Sequence, residues 1–285
     1  MKFGIGYSTA HHGADPGNMA AVARHAEECG FESFYVPEHI ALYPGATGGG
    51  IEFPPALAIA DPLECLSFVA AVTERILLGT GVLLLPYHHP VVLAKRLATI
   101  DVLSRGRMRL LTVGLGALPG EAAAMGVDFA ARGRRADEAI DVLRLLWAGD
   151  ESGVSFDGAF FSFESLCSFP KPWSTRTLPV HVGGSSTAAA RRAGLRSDGY
   201  FPGGRLTAAE RASQVGLMRA AAAEAGRDPD ALEYTRWGSI DLTAADVESL
   251  AGDGVTRLVV SASSPDPAQQ RAEISAFAER LKLTG

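Results

Sequence analysis

The 285-residue chain has little of what several function classes require. Its three cysteines, Cys29, Cys65 and Cys167, stand far apart, without the paired spacing of a zinc site or a redox dithiol, and are read as reduced and mostly structural. Metal-ligand patterns are missing elsewhere too. His88 and His89 are adjacent, His25 falls in a helical stretch, and no His-x-His or His-x-x-x-His pair occurs, so no metal is expected. There is no Gly-x-Ser-x-Gly elbow and no Cys-His arrangement beyond Cys29 with His25, which argues against covalent catalysis. With a net charge of -6 and no basic run interleaved with aromatics, the chain would repel a phosphate backbone, and nucleic acid is not expected as a partner. No apolar run approaches about 18 residues, and Met1 to Gly6 lacks the charged start and apolar stretch of a signal peptide, so the expectation is a cytoplasmic protein with no membrane contact.

What is present is an apolar content of 47%, enough for a full-sized core in one domain over residues 1-285. Strand-like runs alternate with amphipathic stretches of helical length, the pattern of a parallel α/β fold. Eight strands are expected: Phe3 to Tyr7, Ser33 to Val36, Ile76 to Val82, Met108 to Gly114, Leu178 to Val182, Gly199 to Phe201, Leu232 to Asp241 and Thr256 to Ser261. Asp15-Pro16, Asp61-Pro62, Asp228-Pro229 and Asp266-Pro267 each place an acceptor before a proline whose missing N–H costs nothing at the first helical position. Glu64, three residues after Asp61, suggests a capping box. Ala136, Ile140, Leu143 and Trp147 recur at helical spacing and give that helix one buried face. Val154 to Phe163, with Asp157-Gly158 at its centre, reads as an inserted β-hairpin.

In a (β/α)8 barrel, chemistry comes from the C-terminal ends of the strands. The second strand is followed by Glu38-His39, a carboxylate and an imidazole that either serve a bound ring or merely satisfy the loop. The third ends in Gly79-Thr80-Gly81-Val82, where glycine marks a bulge or a close approach, to a ligand or to a packed neighbour. The fourth ends in Gly114-Leu115-Gly116, too short for a dinucleotide fingerprint. After the fifth, Gly183-Gly184-Ser185-Ser186 opens a helix. Free N–H groups, the positive dipole end and two hydroxyls suit a phosphate there, although a serine cap with glycines shaping the turn is the alternative.

Together these segments resemble the luciferase-like monooxygenase family, most closely the actinobacterial branch associated with the deazaflavin coenzyme F-420. The resemblance runs from Lys2 to Gly204 and rests on Gly30 to Tyr35 through Glu38-His39, on Thr73 to Val82, on the Pro86 to Pro90 loop, on Ser104-Arg105-Gly106-Arg107 and on Gly114-Leu115-Gly116. Arg132 to Arg135 with Asp137-Glu138, Phe156-Asp157-Gly158, Pro170-Lys171-Pro172 and Val182 to Ser185 complete it.

That resemblance implies a luciferase-like (β/α)8 TIM barrel and a homodimer. It also implies a non-prolyl cis peptide at Gly81-Val82 behind the cofactor ring, a catalytic His39 beside the ring, and Glu38 orienting either His39 or the loop. Gly81, Val82, Gly114, Gly116 and the phosphate turn Gly183, Gly184, Ser185, Ser186 become the cofactor-binding set. The implied activity is hydride transfer between coenzyme F-420 and a small organic substrate. A monooxygenase using flavin mononucleotide (FMN) is the alternative, and a non-catalytic flavin-binding protein is a third reading. Ala117 stands where deazaflavin sugar-phosphate dehydrogenases of the family have a glutamate, which argues against a sugar phosphate; Leu111-Thr112 and Ala117-Leu118, where many relatives have a glycine and a Trp, imply a more open pocket for which Glu121 compensates in part.

Overall fold

A computed structural model describes residues 1-48, 50-204 and 206-284. Eight strands form the core: β1 Lys2–Gly6, β2 Ser33–Val36, β3 Leu77–Thr80, β4 Met108–Gly114, β5 Val180–Gly183, β6 Gly199–Phe201, β7 Glu233–Ser239 and β8 Arg257–Ser261. Each expected strand is found, with bounds shifted by at most two residues. All neighbours pair in parallel, β8 joins β1, and β4 joins β5 through Leu111 with Val180 and Val113 with Val182, so the sheet closes on itself. This is a (β/α)8 barrel with helices around it.

Glycines on the strands make room for the aromatics that fill the barrel. A Cβ on Gly4 or Gly79 would come within 2.9 Å of the Tyr35 ring, and one on Gly6 within 2.8 Å of Trp237. At the N-terminal end Arg257, 1% exposed, is held by Glu32 (Nε to Oε2, 2.7 Å) and Glu233 (Nη1 to Oε2, 2.5 Å). Burial disfavours that charge, but the two carboxylates outweigh it and hold the guanidinium above its ordinary value. The plug closes the end away from the site.

Most helix starts follow the expected chemistry. Asp15, Asp61 and Asp266 accept from amides of the first turn, and Ala136, Ile140, Leu143 and Trp147 are buried in the helix Arg132–Ala148. Two readings are corrected. Asp228-Pro229 begins only the short 3-10 turn Pro229–Ala231, because Leu232 already leads into β7. Glu64 makes no capping box, since its carboxylate is taken by Arg96 at 2.6 Å. The hairpin is present as Val154–Asp157 paired with Ser162–Leu166, its Ala159 and Phe160 amides held by Glu138. The cysteines are free. No described helix is long and apolar enough to cross a membrane.

Candidate active site

β3 is interrupted where the sequence places its glycines. Its register against β4 shifts between Leu78 and Gly79, and Leu83–Leu84 resumes pairing with Val113 and Gly114. The Gly81-Val82 peptide is cis. The Val82 side chain then lies between two other strands. A Cβ on Gly114 would meet its Cγ2 at 2.5 Å, and one on Gly183 its Cγ1 at 2.7 Å. The glycines ending β4 and β5 therefore leave space for Val82, a packing demand that spans three strands and that no single motif displays.

A cavity of about 690 Å³ opens at this end of the barrel. Glu38, His39, Gly81, Val82, Gly114, Gly116, Gly183, Gly184, Ser185 and Ser186 all line it, so the expected catalytic and cofactor-binding residues share one cavity. The remaining wall is largely apolar, with Phe53, Leu57 and Ile59 from the long segment after β2 and Phe129 from the segment after β4. Arg132 adds a cation. Its guanidinium lies 3.6 Å over the Phe129 ring and donates to the Gly116 and Phe129 carbonyls.

Glu38 and His39, adjacent in sequence, have different partners. The Glu38 carboxylate, 4% exposed, accepts from the Leu84 amide at 2.6 Å and lies 3.0 Å from His88 Nε2. Of the two alternatives, orienting His39 or orienting the loop, its hydrogen bonds fall on the loop Leu84 to His88. His39 points instead to Glu121, with Nδ1 3.1 Å from Oε2. Glu121 is 1% exposed, and its other oxygen accepts from Ile40 N at 2.7 Å and Ala41 N at 3.3 Å. Burial alone would raise the Glu121 carboxyl. The His39 hydrogen bond and these two amides prevail and hold it below its ordinary value, so the buried group is a carboxylate.

With Nδ1–H directed to a carboxylate, Nε2 of His39 is left without a protein partner among the described residues. The ring also packs on Phe53, centroids 4.9 Å apart.

The turn after β5 is braced from behind. Gly184 has φ +97°, which favours glycine. Tyr200 Oη lies 3.0 Å from the Gly184 carbonyl oxygen and 2.6 Å from Gln214 Oε1, its one hydrogen serving either acceptor, while Gln214 Nε2 donates to the Ser185 carbonyl. Ser186 caps the helix Thr187–Arg196 by accepting from Ala189 N at 3.1 Å, so the capping alternative holds for its oxygen while the Ser185 hydroxyl stays uncommitted among the described residues. Sequence reasoning does not find Tyr200, Gln214 or His88. Their partners lie between 14 and 50 residues away in the chain, and only Glu121 carries a signal, as a carboxylate close to the opened pocket at Ala117-Leu118.

Comparison with known proteins places this geometry. An uncharacterized protein of Mycobacterium tuberculosis is 36% identical over 194 residues, 66% of each chain, so the match spans just under two thirds of that relative's length. An F-420-dependent glucose-6-phosphate dehydrogenase of Microbacterium testaceum is 31% identical over 205 residues, covering 70% of this chain and 56% of that one. The crystal structure of a monooxygenase from Streptomyces bottropensis superposes with a TM-score of 0.82 at 22% identity, covering 99% of both chains, a likeness of fold. The sequence profile of the luciferase-like monooxygenases matches residues 1-283, and the chain belongs to that family.

Proposed function

We propose that this protein is an oxidoreductase that binds coenzyme F-420 in the C-terminal cavity and moves a hydride between it and a small organic substrate. The observation that carries the reading is the convergence on one cavity of a braced Gly-Ser turn at a helix N-terminus and a histidine fixed by a buried carboxylate. The donor set suits a phosphate-bearing ring. Ser185 and the amides opening the helix Thr187–Arg196 would hold the phosphate, while the backbone at Gly81-Val82 and the glycine-lined floor would lie against the ring. When bound, the deazaflavin supplies a two-electron hydride carrier. The named cofactor of the Microbacterium relative supports this choice over FMN.

The chain's own residues then have separable tasks. Glu121 holds His39 in one tautomer, with Nδ1–H donated to the carboxylate. Nε2 is thereby free to take a proton from, or give one to, a substrate oxygen. Phe53, Leu57, Ile59 and Phe129 exclude water and favour an apolar substrate body. Ala117 offers no carboxylate to a sugar hydroxyl, which argues against a sugar phosphate.

Trp237, packed against Gly81, provides a reporter. Titrating the protein with F-420 and with FMN at equal concentrations is expected to quench tryptophan emission strongly with the deazaflavin and weakly with FMN. Tight binding of FMN alone would overturn the assignment in favour of a monooxygenase.

A further inference from the structure

Away from the active site, a second cavity of about 540 Å³ lies on the outside of the barrel. One wall is the face of the helix Ala208–Glu224 that carries Arg211, Val215 and Arg219, and Gly252-Asp253 ends the helix Ala244–Gly252 at its other edge. Tyr234 and Arg236 of β7 also line it. Residues at this depth, between barrel and helices, are ordinarily apolar. The helix Ala244–Gly252 buries none of its side chains, so the layer here is thinly covered.

The recess is lined by three arginines and one carboxylate, Asp253, which forms no ion pair among the described residues, so positive charge is in excess. Arg219 is paired with Asp230 at 2.6 Å and is accounted for. Arg211 and Arg236, both half-buried, form no ion pair among the described residues, and Arg236 Nε is buried without any hydrogen-bond partner. Burial and the neighbouring Arg211 cation both disfavour the Arg236 charge, with Tyr234 and Asp253 opposing more weakly. Tyr234 lines the same recess as both arginines, and burial raises its phenol while the two cations pull it down. Two like charges and an unpaired donor in one recess are costly unless something anionic sits between them.

We propose that this recess is a second ligand site, taking a small dianionic oxyanion of the phosphate class between Arg211 and Arg236, with the Tyr234 hydroxyl as a third donor. An oxyanion answers the two guanidinium groups without an ion-pair partner, with Asp253 left at the edge of the recess, and donors arriving from a helix and a strand suit a tetrahedral acceptor. Neither arginine takes part in the cofactor assignment, so the two readings stand or fall separately.

The test is a titration of the whole ¹⁵N-labelled protein with inorganic phosphate, following the arginine Nε–Hε signals. The protein is first saturated with F-420 or FMN, whichever binds, or carries Ser185→Ala if neither does. Two signals, assigned by their loss in Arg211→Lys and Arg236→Lys, should move together and saturate, and each substitution should weaken binding by about tenfold or more. Signals that stay still, that drift without saturating, or that saturate at an affinity unchanged in both variants would overturn the proposal.

Discussion

His39 and Glu121 stand 82 positions apart in the chain, yet Nδ1 of one lies 3.1 Å from a carboxylate oxygen of the other at the rim of the main cavity. His39→Ala is expected to lower the rate of hydride transfer by about 10²- to 10⁴-fold, the usual contribution of a positioned acid or base. Glu121→Gln should lower kcat by at least about tenfold while leaving cofactor affinity within about twofold, because it acts on the orientation of His39 and not on binding. Stopped-flow rates and cofactor titrations of the two variants check both expectations.

Glu38 behaves differently. Its carboxylate satisfies the Leu84 amide and His88, so Glu38→Ala strands a buried donor and should cost about 1 to 3 kcal/mol of stability. Urea unfolding of the variant measures that loss. Glu38→Gln, which keeps one acceptor, should lose less.

The division of labour between adjacent residues shows where sequence reading succeeds and stops. Strand ends, and therefore Glu38, His39, the Gly81-Val82 peptide and the Gly183 to Ser186 turn, are legible because barrel topology sends every C-terminal end to one rim. The partners are not. Glu38 meets His88 across 50 residues, and Gln214 braces Ser185 across 29. Glycines 114 and 183 line the cavity as the sequence suggests, but the direction a side chain would take from each is filled by Val82, a packing demand that the sequence does not display. Local rules also misjudge ends that compete with tertiary partners, as when Glu64 turns to Arg96 instead of its own helix.

Gly114→Ala tests the Val82 arrangement. The new methyl would sit 2.5 Å from Val82 Cγ2, so either Val82 moves into the cavity or β4 shifts. The variant should be less stable by about 1 to 3 kcal/mol, as overpacked cores are, and should bind cofactor more weakly. Thermal unfolding and a cofactor titration read the two effects.

A pH dependence arises from a buried group outside the cavity lining. His181 on β5 is 2% exposed, and burial, opposed by Glu233 and reinforced by Arg257, pushes its imidazole down to about 4. The unfolded chain takes up this proton near 6.5, whereas the folded one resists it. The stability this residue permits is therefore full above about 6.5, and about 3 kcal/mol is lost as the pH falls from there to about 4. Urea unfolding at a series of pH values should show the slope in the native protein and flatten it in His181→Leu.

The central claim is that the rim cavity carries hydride chemistry on a deazaflavin with His39 on the proton side. Its most direct measurement is single-turnover oxidation of reduced F-420 by the protein against a panel of enones, nitroaromatics and quinones. The account predicts that at least one acceptor oxidises the bound coenzyme, and that His39→Ala binds it as tightly but oxidises it far more slowly. Oxidation at an undiminished rate in His39→Ala, or no oxidation by any acceptor, would contradict it.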